Sequence, residues 1–362
     1  MAETFALDSL VLPGAYVQVR AEALIAGAAV STGNIGIVGT AGTVPAEAEI
    51  LSGYDDATNA FGAYDAFSAG TQNLTRGLEI AYRNGGGVVF ARAVAAGAGQ
   101  DDFSGAFEEL LKDDVNILIA PELSTDDALS VLKPIVVEAE NNGKDVIAVI
   151  GSDADAVDDI TAQADAVGDV SGRVILVAPG MHAFDSVAKA DVTLPGNYSA
   201  AAVAGLLSTL VPQSSPTNKT LPGVQKLSQR FTYGEEKTLV GHAAGVLVLD
   251  EKSGVRIVRG LSADQGAFKQ ITTRRITDYA KAGMRAVSNP FIGKLNNARV
   301  RKALNGAING FLSAMVADEA LISYELTVTA TRADEIAGRA IVNAILRPTF
   351  SIDFVAVTLT LE

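Results

Sequence analysis

Cysteine and tryptophan are absent from this sequence of 362 residues, and histidine occurs only at His182 and His242. The absence of cysteine excludes disulfides, thiol nucleophiles and thiolate metal sites. Two histidines are too few for a histidine-rich zinc centre. No apolar run approaches the roughly 18–20 residues that a membrane-spanning helix requires, and the N-terminus lacks the basic and apolar regions of a secretory signal. We therefore expect neither direct membrane insertion nor secretion by a signal peptide.

Acidic residues outnumber basic ones, with 42 Asp and Glu against 28 Lys and Arg, and the excess is confined to one part of the chain. Residues 1–250 carry 13 basic and 32 acidic side chains, whereas residues 251–362 carry 15 and 10. This asymmetry indicates two surfaces that meet different partners, although an acidic domain beside a mildly basic one explains it equally well. Most of the surface would repel phosphates, so nucleic acid is not an expected partner.

Apolar segments alternate with helical segments over the first two thirds of the chain. The predicted buried strands are NIGIVGT, VVFARAV, VNILIAPE, DVIAVIGSD and RVILVAPG. Amphipathic segments between and after them predict helices, one of which begins with a capping signal at Ser124. Strands that are apolar throughout and alternate with helices favour a doubly wound, mainly parallel sheet covered on both faces. We assign this α/β domain to residues 26–224.

A different pattern follows the proline-containing segment 212–224, PQSSPTNKTLPGV, which predicts a loop or linker. Two long helical segments come next, and two long alternating strands follow them. One of the helices carries an apolar stripe that predicts a core-facing surface, formed by Val300, Leu304, Ile308, Phe311, Leu312 and Met315. Residues 225–346 are therefore predicted to form an α+β domain.

Both ends of the chain are predicted to be extended β-arms, over residues 1–25 and 347–362. In the C-terminal arm, apolar residues alternate with Ala and Thr, which is the period of a half-buried strand; they are Val355, Val357, Leu359 and Leu361. The N-terminal arm contains the strand-like residues Tyr16, Val17 and Val19. Neither arm has an obvious partner nearby in the sequence, and an open strand edge invites pairing with another chain.

Motifs that carry chemistry are not formed by this sequence. The glycines Gly36, Gly39 and Gly42 have a G-x-x-G-x-x-G spacing, which differs from the dinucleotide fingerprint, and no P-loop motif occurs. The acidic segment SDADAVDDI does not follow the EF-hand pattern, and we expect Asp153 to cap the helix that follows it. No nucleophile, base and oxyanion donor are grouped together. We expect no catalytic, cofactor or metal site.

Taken in order, several segments resemble the tail sheath proteins of contractile phage tails and related contractile injection systems. They span nearly the whole chain and are LPGAYVQV, NIGIVGTAG, YRNGGGVVFARAV, PGNYSAAAVAGLL, GVRIVRG, FKQITTRRITDYA, RVRKALNGAINGFL and the long terminal strands. One departure is PGNYSAAAVAGLL, where comparable members often carry PPSG before a helix.

The resemblance implies a structural protein that polymerises helically around an inner tube and contracts to drive the tube through a target cell envelope. It implies a subtilisin-like α/β domain without a protease triad, no cofactor, and arms that add strands to the sheets of neighbouring subunits. The implied partners are other copies of this chain, the inner tail tube protein, and baseplate and terminator proteins. Assembly is expected in the cytoplasm of the producing cell, as part of a virion tail or an injection particle.

The basic C-terminal third suggests where such a sheath would hold its tube. We predict tube contacts from Arg274, Arg275, Arg299, Arg301 and Lys302 to an acidic belt on the tube, although solvation of a helix face explains these residues nearly as well. Two other functions stay open: another self-assembling tail or capsid component, and a hydrolase-type enzyme built on the α/β domain.

Overall fold

A computed structural model describes residues 30–168 and 170–361 of the chain. The predicted N-terminal arm, including Tyr16, Val17 and Val19, lies outside these residues. The described strands are β1 (Ile35–Thr40), β2 (Glu49–Leu51), β3 (Val89–Val94), β4 (Ile117–Ile119), β5 (Ile147–Gly151), β6 (Val174–Ala178), β7 (Met181–Asp185), β8 (Ala190–Leu194), β9 (Lys226–Leu227), β10 (Leu247–Glu251), β11 (Val255–Ile257), β12 (Leu321–Thr329) and β13 (Ile341–Pro348). The described α-helices are α1 (Tyr54–Phe61), α2 (Leu74–Arg83), α3 (Gln100–Leu110), α4 (Thr125–Asn141), α5 (Val157–Val167), α6 (Gly196–Thr209), α7 (Tyr233–Gly241), α8 (Ile271–Ser288), α9 (Ala298–Ala317) and α10 (Arg332–Ile336).

An eight-stranded sheet forms the centre of the molecule, with the strand order β11-β10-β6-β5-β4-β1-β3-β2. The six inner strands are parallel, and the edge strands β2 and β11 pair antiparallel with their neighbours. The inner strands are short and almost wholly apolar, which is typical of strands covered on both faces. The predicted mainly parallel sheet is confirmed.

Two hydrophobic cores cover the two faces of this sheet. One face packs against α2 and α6, with Leu78 and Ala201 fully buried. The other face packs against α3, α4 and α5, with Phe107 and Leu132 fully buried. The helices therefore lie on both sides of the sheet, as the doubly wound prediction requires.

The sheet does not end at the predicted boundary between residues 224 and 225. Strand β10 pairs parallel with β6, through Leu247↔Val177 and Val248↔Ala178, and β11 pairs with β10. The boundary therefore cuts through one sheet, because the chain returns to the sheet after the proline-containing segment. This corrects the domain limits predicted from the sequence.

The C-terminal unit is built from α8, α9 and the antiparallel hairpin β12–β13. Its core is a third cluster, in which Ile276, Ile308, Leu312 and Met315 are buried. The predicted apolar stripe of α9 points into this core, and the Asn297 side chain caps the helix by accepting a hydrogen bond from the Val300 backbone N–H. Helix α10 lies in the connection between the two strands.

Candidate assembly surfaces

The hairpin β12–β13 is a two-stranded sheet with both outer edges unpaired among the described residues. Side chains alternate along it, so that Leu326, Val328 and Val342 pack against the third core while the opposite face is open. On the open face, Ile322 is 64% exposed and Ile345 is 59% exposed. A two-stranded ribbon is stable only when it is supported, and its open edges can accept another strand.

The C-terminal segment leaves this hairpin without joining a sheet. Residues 349–361 contain no assigned strand, although Thr349 donates its backbone N–H to the Ala320 carbonyl at 3.1 Å. The four predicted arm residues Val355, Val357, Leu359 and Leu361 are exposed by 74–96%. A strand-like apolar segment with this exposure is available for a partner, and its pairing with a neighbour stays a prediction.

Two of the five predicted tube contacts are buried inside the subunit. Arg274 is 3% exposed; it pairs with Asp278 and lies 4.3 Å above the Phe268 ring. Arg275 is 5% exposed and donates to the carbonyls of Thr32 and Leu210, at 3.0 and 2.8 Å. These internal contacts correct the prediction for both arginines, because neither offers a surface to another protein.

The other three residues predicted to contact the tube lie at the beginning of α9, and they differ in their interactions within the subunit. Arg301 is half-buried and pairs with Glu335 at 3.0 Å. Arg299 and Lys302 are exposed and form no ion pair within residues 30–168 and 170–361. The preceding loop adds two apolar side chains, Ile292 and Leu295, which are both exposed. This end of the C-terminal unit is therefore both cationic and apolar.

The acidic segment before α5 has a role that differs from the predicted one. Asp153 does not cap α5; its carboxylate accepts from the backbone N–H and hydroxyl of Thr125, the first residue of α4, at 3.1 and 2.8 Å. The N-cap of α4 is Ser124, as predicted. Gln163 also donates to it at 2.6 Å. No group of acidic and histidine residues in the described ranges could hold a metal ion.

A buried carboxylate lies at the carboxyl ends of β1 and β4, where ligands bind in many doubly wound folds. Glu122 accepts from the Thr40 backbone N–H at 2.6 Å and from the Thr40 hydroxyl. Burial raises the pKa of Glu122 to about 7, against the opposing effect of these hydrogen bonds. A Cβ atom at Gly39 would lie 2.2 Å from the Glu122 carboxylate, so the glycine is what allows the carboxylate to approach the end of β1.

An ionic network joins the α/β body to the C-terminal unit. The Arg173 side chain is wholly buried and contacts Glu140, Asp145 and Asp278 at 2.6, 3.0 and 3.2 Å. Asp278 belongs to α8, and Lys281 of the same helix contacts Glu140 and Asp145. The hydrogen bond from Arg173 holds the pKa of Glu140 well below its usual range. Side chains from both units therefore form one charge-compensated cluster.

Family models match most of the chain. Residues 96–263 match the phage tail sheath protein central domain, and residues 263–362 match the phage tail sheath C-terminal domain. The junction at residue 263 follows β11, which agrees with the extent of the sheet better than the predicted boundary. No curated protein matches the chain significantly.

Solved structures share the fold at low sequence identity. The contracted helical sheath of the anti-feeding prophage is 17% identical, with a TM-score of 0.75 over 98% of this chain and 100% of that one. The contracted sheath of the extracellular contractile injection system PVC is 16% identical, with a TM-score of 0.73 over 98% of each chain. A sheath tail protein from Desulfitobacterium hafniense is 13% identical, with a TM-score of 0.64 over 93% of this chain and 100% of that one. The specific likeness to subtilisin stays a prediction.

Proposed function

This chain belongs to the phage tail sheath family and is a structural subunit of a contractile sheath. From that premise, we propose that its C-terminal unit provides both the links between subunits and the contact with an inner tube. Contraction of the assembled polymer drives the tube through a target envelope. The subunit assembles in the cytoplasm, on a baseplate, and a terminator protein ends the polymer. The observation that carries this proposal is the open hairpin β12–β13 beside an unpaired strand-like C-terminus.

The C-terminal arm fits the hairpin of a second copy by strand addition. Residues 355–361 span about 23 Å when extended at ~3.3 Å per residue, which is comparable to the length of the hairpin strands. With Val357 and Leu359 turned toward α9, the arm extends the layer that Leu326 and Val342 begin. Ala356 and Thr358 then lie on the open face.

Removal of the arm tests this pairing. Deletion of residues 355–362 leaves the described cores intact, so we expect a folded monomer that forms no cylinders in negative-stain electron microscopy. Val357→Lys with Leu359→Lys places charges on the packed face and should have the same effect. Ala356→Lys with Thr358→Lys is the matched control and should assemble. Cylinders formed by the deletion variant would contradict the proposal.

Arg299 and Lys302 contact an acidic surface of the tube, with Ile292 and Leu295 beside them. Exposed charges steer association and contribute modestly to affinity, which suits a contact that must break when the sheath contracts. Arg301 holds the Glu335 side chain of α10 and acts within the subunit.

Charge reversal tests the tube contact. Arg299→Glu with Lys302→Glu should reduce co-purification of the inner tube protein while empty sheaths still form. Lys226→Glu with Lys237→Glu makes the same change in charge at exposed positions of the α/β body and is the control. Equal tube content in both variants would remove Arg299 and Lys302 from the interface.

A further inference from the structure

Within the largely exposed C-terminal segment, the side chain of Asp353 is buried and binds the rest of the subunit. Asp353 has a side chain that is 5% exposed, and its Oδ2 atom accepts from Arg259 Nε at 2.7 Å. Gln270 Nε2 donates to the same oxygen at 3.3 Å. Oδ1 accepts from the hydroxyls of Ser351 and Thr217, at 3.1 and 3.4 Å. Both oxygens of this buried carboxylate are thus satisfied.

The partners of Asp353 come mainly from the α/β body, not from the hairpin that precedes it. Arg259 follows β11, the edge strand of the large sheet, and Thr217 lies in the segment 212–224. Gln270 is the residue immediately before α8. The Thr217 hydroxyl also accepts from the Gly260 backbone N–H at 3.0 Å, which ties it to the Arg259 loop. The chain therefore leaves the hairpin and is fixed to the other unit.

Phe354 is the last residue of the segment with a described side-chain contact. Its ring lies 5.1 Å from the Arg259 guanidinium carbon, in a cation–π arrangement. Residues 355–361 make no hydrogen bond or ion pair with the rest of the described chain. The boundary between the held and the free part of the segment therefore lies at Phe354.

We infer that Asp353 and Arg259, with Phe354 stacked on the guanidinium, form an arm clamp that fixes the point and direction in which residues 355–361 leave the subunit. The arm clamp positions the arm for pairing with a second copy, an inference that rests on the proposed exchange of strands. A strand held at its root loses less conformational entropy on pairing than a free tail does. Because the clamp lies on the α/β body, tension in a paired arm acts on the large sheet rather than on the hairpin.

The absence of cysteine allows a direct test of the arm's direction. Thr358→Cys and Lys237→Cys provide two spin-label sites, one in the arm and one on the α/β body. In the monomer, pulsed electron resonance should give a narrower distance distribution with the clamp intact than with Asp353→Asn. Asp250→Asn, which removes a carboxylate paired with Lys252 at 3.5 Å, is the control and should leave the distribution unchanged. Equal widths in the clamp variant and its parent would overturn the inference.

A second variant covers the case in which Asp353→Asn disturbs folding by leaving the Arg259 charge unpaired. Arg259→Gln with Asp353→Asn removes both charges and keeps hydrogen-bonding side chains at the two positions. It should fold with a melting temperature near that of the parent and still show the broad distribution. A narrow distribution in this folded variant would also overturn the inference.

Measurements of cylinder assembly distinguish a failure of the arm-clamp inference from a failure of the proposed strand exchange. The protein concentration needed for cylinders should rise about tenfold in the double variant, which corresponds to the loss of a modest preorganisation term. If the deletion of residues 355–362 abolishes cylinders and the double variant assembles normally, the arm-clamp inference is wrong and the proposed strand exchange is supported. If the deletion variant itself forms cylinders, the strand exchange fails, whatever the clamp variants do.

Discussion

The α/β body and the C-terminal unit differ in how completely each satisfies its own strands. In the body, every inner strand of the large sheet has two neighbours and helices on both faces. In the C-terminal unit, β12 and β13 pair only with each other among the described residues, one face of the hairpin is open, and an apolar segment continues beyond it. The large sheet of the body is covered on both faces within the subunit, whereas the hairpin of the C-terminal unit is covered on one face only. This difference supports the proposal that the contacts between subunits lie in the C-terminal unit.

The Arg173 network is where the two regions meet, and removing it should have the largest effect on stability. Arg173→Met leaves Glu140, Asp145 and Asp278 with fewer cations around them. The loss of one partner from a buried ion pair costs about 3–5 kcal/mol, so urea denaturation should show a much lower midpoint. Arg339→Met removes a largely exposed pair with Asp334 and should cost at most about 1 kcal/mol. Equal losses would mean that the network contributes little to the stability of the folded subunit.

Glu122 lies within the α/β body, and its ionisation should make the free energy of unfolding depend on pH. Its folded pKa of about 7 lies above the value of about 4.3 expected in the unfolded chain. The folded state therefore binds the proton more tightly, and the free energy of unfolding should fall as the pH rises from about 4 to 7, by up to about 3 kcal/mol. Glu122→Gln should flatten this decline in urea titrations at pH 5 and 8.

An exposed carboxylate provides the comparison for Glu122. Glu108 lies on the exposed side of α3, so Glu108→Gln should keep the decline of the parent protein. A Glu122→Gln variant with the parent's pH profile would show that another group causes the decline.

The smallest expected effect concerns the open face of the hairpin. Ile345 is 59% exposed, so Ile345→Thr should change monomer stability by less than about 0.5 kcal/mol. Its neighbour Leu346 packs on the third core, and Leu346→Thr should cost about 1–3 kcal/mol. Thermal unfolding of the two monomers measures this contrast. A large loss for Ile345→Thr would mean that the open face is already covered within the subunit.

The sequence predicted the parts of the fold that depend on local pattern. The apolar strands β1, β3, β4, β5 and β6 and the periodic helices on either side follow from residue spacing alone. The stripe of α9 was also correct, because four of its six residues are buried. The order of segments along the chain indicated the sheath family, which the family models confirm.

Sequence patterns did not predict the elements and contacts whose partners lie far away along the chain. Strand β10, with the sequence LVLDE, gives a short apolar signal after the segment 212–224, and nothing nearby shows that its neighbour in the sheet is β6. The hairpin formed by β7 and β8 is short and mixed in polarity. Asp353 carried no signal either, because its main partner is 94 residues away along the chain.

The sequence by itself determined the types of the strongly periodic elements and the alternation of strands and helices that makes the large sheet parallel. Periodicity encodes these features because each depends on neighbouring residues. Only the tertiary structure decided that Arg274 and Arg275 are internal while Arg299 and Lys302 are exposed, since all four read as basic helix residues. The burial of a side chain depends on how the whole chain packs. Helix α8 lies against the α/β body, so its arginines make internal contacts. Helix α9 begins at the exposed end of the C-terminal unit, so its basic residues are candidates for tube contacts.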